Sequence, residues 1–326
     1  MKAFKRVISV LLFLALLAVP FVVWWKAQAL TDWWQLRNYT PPAAVVSLAS
    51  QDTMTSYARH VFYVNHPDIE SDASQFRTDC NESEKAIVLG CYHSNQDGIF
   101  IYDVQDQRLA GVEQVTAAHE MLHAAYDRLS GSDKNRIDGM LQSYYNNGLN
   151  DQRIKDEINS YKQTEPNDLV NEMHSIFGTE VANLPSGLQT YYQKYFSNRQ
   201  AIVDFADSYQ DEFTSRENQM RALAGELAQT KSQIEAEEQS LKGQLAQLNA
   251  DRANLDSQRS SGNASAYNSQ IATFNREVDS YNSGVAQLKS DINEYNQLVD
   301  QYNSVAKELA SLQQSIDTRL TPQTTQ

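Results

Sequence analysis

Residues 267–302 read YNSQIATFNREVDSYNSGVAQLKSDINEYNQLVDQY. Within them Tyr267, Ile271, Phe274, Val278, Tyr281, Val285, Leu288, Ile292, Tyr295, Val299 and Tyr302 recur at intervals of four and three, which is the seam of an amphipathic helix. A seam must be covered, and a second helical pattern lies just upstream. Met220, Leu227, Ile234, Leu241, Leu248 and Leu255 recur every seven residues, while the companion position is mixed: Ala224, Lys231, Glu238, Leu245 and Arg252. Between the two runs, Arg259, Ser260, Ser261, Gly262, Asn263, Ala264 and Ser265 form a turn-like break. Two helices joined by a short loop fold back on each other. The expectation is an antiparallel coiled-coil hairpin over residues 205–318, with helices near 213–258 and 266–317 and a surface suited to self-association. The Tyr-Asn pairs at 267, 281, 295 and 302 read as seam aromatics with a solvated neighbour.

Outward from the hairpin the composition changes. No Pro occurs between 186 and 321, and the whole chain of 326 residues has only 12 Gly and 7 Pro, which favours long helices. Its 41 acidic against 27 basic residues give a net charge of −14, which argues against a nucleic-acid partner. At the other end Lys2, Lys5 and Arg6 precede residues 7–25, VISVLLFLALLAVPFVVWW. Nineteen helical residues span roughly 28 Å, close to a bilayer core. The four Trp at 24, 25, 33 and 34 stand where the chain would leave the interface, and the leading basic residues put the remainder outside. Residues 1–29 therefore read as a signal anchor, a single-pass transmembrane helix holding the rest on the extracytoplasmic side of the cell membrane. Ala27-Gln28-Ala29 offers the alternative of signal cleavage and secretion.

The middle, residues 37–200, holds both Cys, all six His and five of the Pro, the variety a compact core requires. Residues 61–64, 86–89 and 99–102 read as strands, the last two joined through Gln96-Asp97-Gly98. Helical patterns dominate from Val112 on, so the expected class is α+β. Cys80 and Cys91, eleven apart in a chain expected to be exported, suggest a disulfide.

The chemistry lies in His119-Glu120-Met121-Leu122-His123, an H-E-x-x-H. Four apart on a helix, the two His project from one face and can reach one metal ion, while Glu120 can reach a water beside it. Val115, Ala118, Leu122, Ala125 and Leu129 form an apolar stripe at helical spacing, so the segment packs on a core. His60, His66 and His93 have no partner at ligand spacing and read as structural.

HEMLH on a helix that follows a strand resembles the zincin metallopeptidases. The residues after His123, Ala124-Ala125-Tyr126-Asp127-Arg128-Leu129, lack the H-x-x-G-x-x-H continuation of metzincins. The gluzincin, thermolysin-like branch is the one resembled; it takes a Glu from a later helix, often in an Asn-Glu pair, and Asn171-Glu172 fits. The resemblance covers roughly residues 55–200 and implies a zincin-like domain with zinc (Zn2+) on His119, His123 and Glu172, and Glu120 as general base. His174 and Glu180 remain alternatives to Glu172, and Asp127 is too far round the helix to close a tetrahedral site. His174, Tyr191 and Tyr192 are candidates to stabilise developing charge, although the two Tyr also suit packing within residues 188–196. The strand before the helix would bind a peptide along its edge.

The function these expectations describe is a membrane-anchored, extracytoplasmic zinc-dependent peptidase acting on peptide or protein substrates. Two alternatives are a non-enzymatic surface protein whose coiled coil is the working part, and a cell-wall hydrolase or its regulator. The intact Glu120 favours an enzyme, because a scaffold has no need of it.

Overall fold

The computed structural model describes residues 27–80, 88–94, 98–164 and 166–319. In chain order it has α1 (Ala27–Leu36), α2 (Ala43–Gln51), α3 (Ser56–Val64), β1 (Asp68–Glu70), α4 (Ala73–Asp79), β2 (Gly90–His93), β3 (Gly98–Tyr102), α5 (Val112–Asp127), α6 (Gly131–Asn147), α7 (Gln152–Thr164), α8 (Leu169–Thr179), α9 (Ser186–Tyr192), α10 (Gln200–Ser260) and α11 (Ala264–Ile316). Two compact units emerge: one runs through Asp211 and resumes at Gln313, and the other is Glu212–Leu312.

The expected α+β zincin-like class is corrected by this element list. The chain is overwhelmingly helical, and its strands, three among the described residues, are short and lie in one sheet. Residues 61–64 are not a strand but the end of α3. Thr55 caps that helix by accepting from the Ala58 N–H at 3.2 Å, and Ala58, Val61 and Phe62 are buried at helical spacing. A four-residue apolar run fits either period, and the cap upstream decides for the helix. Of the second expected strand, residues 86 and 87 lie outside the described residues, and pairing begins only at Gly90. Among the described residues no helix is long and apolar enough to cross a membrane, and the expected span over 7–25 lies outside them.

The sheet order is β1-β3-β2, with β1 parallel to β3 (Ile69 opposite Ile101) and β2 antiparallel to it (Cys91 opposite Phe100). Strand β2 is thus an edge. The Cys80–Cys91 disulfide ties it to the end of α4. The chain's return adds a second tie: Thr318 Oγ1 donates to the Val88 carbonyl at 3.0 Å, and its own carbonyl accepts from Arg77.

Helix α5 is the centre of this unit. Nearly every residue from Val115 to Tyr126 is buried, so it is a core helix rather than a surface one. It packs on α8 and touches α2, α3, β2 and β3. Ile99, Ile101, Met121, Leu122, Phe62, Phe177 and Tyr192 make up much of the core around it. Helix α8 comes close because of Gly178: a Cβ there would lie 2.3 Å from Leu122 Cδ1 and 2.8 Å from Tyr192 Cε1. Beyond its C-terminus the buried Arg199 donates to the carbonyls of Phe177, Val181 and Ala182, satisfying acceptors the helix leaves open.

In the second unit α10 and α11 run antiparallel. Gln233 donates to Asp291, Asn254 and Gln258 both donate to Gln270, and Gly284 lies against Leu241. These pairs keep an almost constant sum of residue numbers, as an antiparallel register demands.

Candidate metal centre

Helix α5 presents His119, Glu120 and His123, and α8 presents Glu172 across the close packing at Gly178. His119 Nε2 is 3.5 Å from Glu172 Oε2, and His123 Nε2 is 3.4 Å from Glu172 Oε1. The two imidazoles stand 4.8 Å apart between centroids, inclined at 60°. One donor atom from each of the three residues lies within 4.8 Å of the other two, so the trio can hold a metal ion. Two imidazole nitrogens and one carboxylate oxygen are a donor set suited to a borderline ion.

The electrostatics agree with that fit. The Glu172 side chain is only 7% exposed. Burial pushes its carboxyl up, but His123 and the His119 contact outweigh burial and hold it below the usual carboxylate range. Burial pushes His119 down, yet the Glu172 contact and the charges of Glu120, Glu172 and Glu180 lift it to about 9. The imidazoles balance the buried carboxylate, and a metal ion on the same donor atoms would take over that role.

The trio opens into a cavity of about 560 Å³ whose walls include β2, α5, α7 and α8. Glu120 is on its wall beside β2: a Cβ at residue 90 would come within 2.9 Å of Glu120 Oε1, so only glycine leaves that carboxylate its place.

The other sequence candidates separate cleanly. His174 is fully buried and does not line the cavity; its Nε2 lies 2.9 Å from Tyr191 Oη, and the rings of Tyr126, Tyr191, Tyr192 and Tyr195 surround it. Burial first, then the charges of His123 and His119, hold it far below its ordinary range, so it is a neutral core histidine. Tyr192 Oη donates to the His174 carbonyl at 2.6 Å, and Tyr191 shares a hydrogen bond with Tyr195, so both Tyr serve packing. Glu180 reaches the cavity but accepts from Arg153 Nη1 at 2.8 Å. Asp127 stands at the rim, 3.7 Å from Lys134 Nζ. His60 sits 2.8 Å from Asp32, His66 stacks on Tyr39, and His93 meets the Asp79 carbonyl at 2.6 Å.

The sequence points to Asn171 only as the neighbour of Glu172 and gives no site role to Gly90, Glu157, Asp168, Tyr161 or Tyr209, all of which line the cavity with it. One signal was present for Glu157. It is four residues after Arg153 on α7, facing inward beside the buried Ile154 and Ile158.

No protein-family model, no curated protein and no solved structure matches this chain, so what the site can do is argued from its own residues.

Proposed function

We propose that the first unit is a zinc-dependent peptidase of the HExxH type. The observation that carries the reading is the convergence of His119, His123 and Glu172 on one point, with Glu120 on the same cavity wall. A zinc ion held by these three residues would supply Lewis acidity, polarising a carbonyl and bringing the pKa of a water towards neutrality. Glu120 takes the proton of the attacking water and can hand it to the departing amine. His119 and His123 would bind the ion through neutral nitrogens, and Glu172 would contribute the negative charge that balances part of the ion's. Strand β2 is an edge of the sheet among the described residues and lies beside Glu120, a place where an extended peptide can add by backbone hydrogen bonds. The disulfide between Cys80 and Cys91 supports work in an oxidising compartment outside the cytoplasm.

The test is metal analysis of the purified full chain together with hydrolysis of a broad peptide library. Zinc should co-purify, and His119→Ala or His123→Ala should lose it. Glu120→Gln should keep the metal while turnover falls roughly 10²–10⁴-fold. A wild-type chain that takes up no zinc, or a Glu120→Gln variant as active as wild type, would defeat the proposal.

A further inference from the structure

The cavity wall is unbalanced in charge. Asp127, Glu157, Asp168 and Glu180 join Glu120 and Glu172 on it, and none of the described residues lining it is Lys or Arg. Two cations stand behind the wall. Arg153 serves Glu157 at 3.1 Å and Glu180 at 2.8 Å, one positive charge against two carboxylates at the end of the cavity nearest α7. Lys134 is 3.7 Å from Asp127 and lies over the Tyr126 ring, so it compensates the rim only in part.

Among the described residues no Lys or Arg pairs with Asp168, which feels the His123 charge and accepts from the Asn171 amide, Nδ2 to Oδ2 at 3.0 Å. Asn171 itself supplies an independent pointer. It lines the cavity, is only 7% exposed, and its Oδ1 is buried with no hydrogen-bond partner. An orphan buried acceptor costs free energy until a donor reaches it. Carboxylates and an unsatisfied carbonyl oxygen together call for a group that brings both donors and positive charge. A divalent ion on the trio would offset Glu172 and Glu120 and leave the acidic rim in place.

We infer that the cavity selects substrates carrying a cationic side chain, lysine or arginine, held at the Asp127–Asp168–Asn171 end. The inference rests on the peptidase reading for its substrate class, and the experiment keeps the two apart. Labelled pentapeptides, identical except for a central Lys, Gln or Glu, are titrated into the metal-loaded full-length Glu120→Gln protein and followed by fluorescence anisotropy. The same peptides are offered to the wild type for cleavage.

The Lys peptide should bind roughly tenfold or more tightly than the Glu peptide, and the preference should shrink as salt rises. Asp127→Asn combined with Asp168→Asn should remove most of that preference and leave the Gln peptide's affinity unchanged. Both residues are exposed at the rim, so the pair should not disturb folding. Equal binding of the three peptides at low salt overturns the inference, and so does a preference that survives the double substitution. Cleavage without charge preference overturns it while leaving the peptidase reading intact. Selective binding with no cleavage by the wild type supports it and removes the peptidase reading instead.

Discussion

Placing a methyl group on Gly90 tests the arrangement around Glu120 most directly. In an alanine the Cβ would lie 2.4 Å from Thr116 Cγ2 and 2.9 Å from both Cγ and Oε1 of Glu120. Comfortable carbon–carbon contact is about 3.5–4.0 Å, so the overlap with Thr116 exceeds ~1 Å. Thr116 cannot easily withdraw: its β-branched side chain is stiff at χ1 and its helix is buried on nearly all sides. Strand β2 is held by β3 and by the disulfide. The remaining freedom belongs to Glu120, whose longer side chain can swing away. Overpacking of this kind costs about 1–3 kcal/mol.

Gly90→Ala should therefore lower stability by that amount in denaturant titration, leave zinc content unchanged, and cut peptide turnover by roughly 10²-fold or more, the scale of a lost general base. Adding Thr116→Ser deletes the nearest methyl group and should recover part of both losses, with a coupling of about 0.5–3 kcal/mol in the double-mutant cycle. Unchanged stability and turnover in Gly90→Ala would refute the claim that β2 fixes the base.

Four further outcomes follow from the structure. Because His119 is lifted to about 9 by its carboxylate neighbours, zinc uptake at pH 7 must expel its proton; calorimetry in buffers of different ionisation enthalpy should find about one proton released per ion, and a proton-independent heat would contradict it. In the metal-free protein the raised pKa means that His119 stabilises the fold fully below about pH 6.5 and that this contribution is lost as pH rises through about 9, which the pH dependence of Tm should display. Replacing Cys80 and Cys91 by Ala opens a loop of eleven-residue separation; this should cost about 3 kcal/mol and weaken turnover through β2 without stripping the metal, and an unchanged denaturation midpoint would count against the tie. Asp52 is wholly buried with neither carboxyl oxygen hydrogen-bonded, and burial pushes it far above the usual range, so it favours the fold below about pH 4 and opposes it as pH rises; Asp52→Asn should stabilise the protein at neutral pH by roughly 1–3 kcal/mol and lose that advantage in acid.

The hairpin shows where periodicity stops being sufficient. Leu241, Leu248 and Leu255 of the seven-residue series are buried, as the pattern requires. On α11, however, Ile292 is 38% exposed although it belongs to the apolar series, while the neighbouring Asp291 is only 4% exposed. This helix carries apolar residues on both flanks of its Tyr and Leu positions, so its own pattern leaves the seam undecided by one residue. The partner helix decides it. Gln233 of α10 donates to Asp291 Oδ2, and Gln287 donates to Oδ1, giving the carboxylate two donors inside the seam. A sequence pattern read one helix at a time has no access to that choice. The strand over residues 61–64 failed for a related reason: a short apolar run has no period of its own, and Thr55, outside it, determined the outcome.

At the site, the legible part was whatever one helix could arrange alone. His119 and His123 are four apart, so their convergence is a property of α5 and was available before any tertiary contact was known. Glu172 and His174, two apart on α8, had to face different ways, but their spacing could not say which would join His119 and His123. Three other residues made that choice. Gly178 lets α8 close on Leu122 and brings the Glu172 side to α5, and Tyr191 and Tyr192 from α9 build the pocket that receives His174. Gly90 was silent for the same reason, since it acquires its role only from Thr116 and Glu120 on another element. The buried charge balance then explains why the arrangement is worth keeping. The 7%-exposed carboxylate and the imidazoles beside it compensate one another, yet an apolar trio of similar volume would often serve stability as well or better. A metal ion on the same donor atoms would use that buried carboxylate directly, a ground for the metal reading that does not depend on the HExxH spacing.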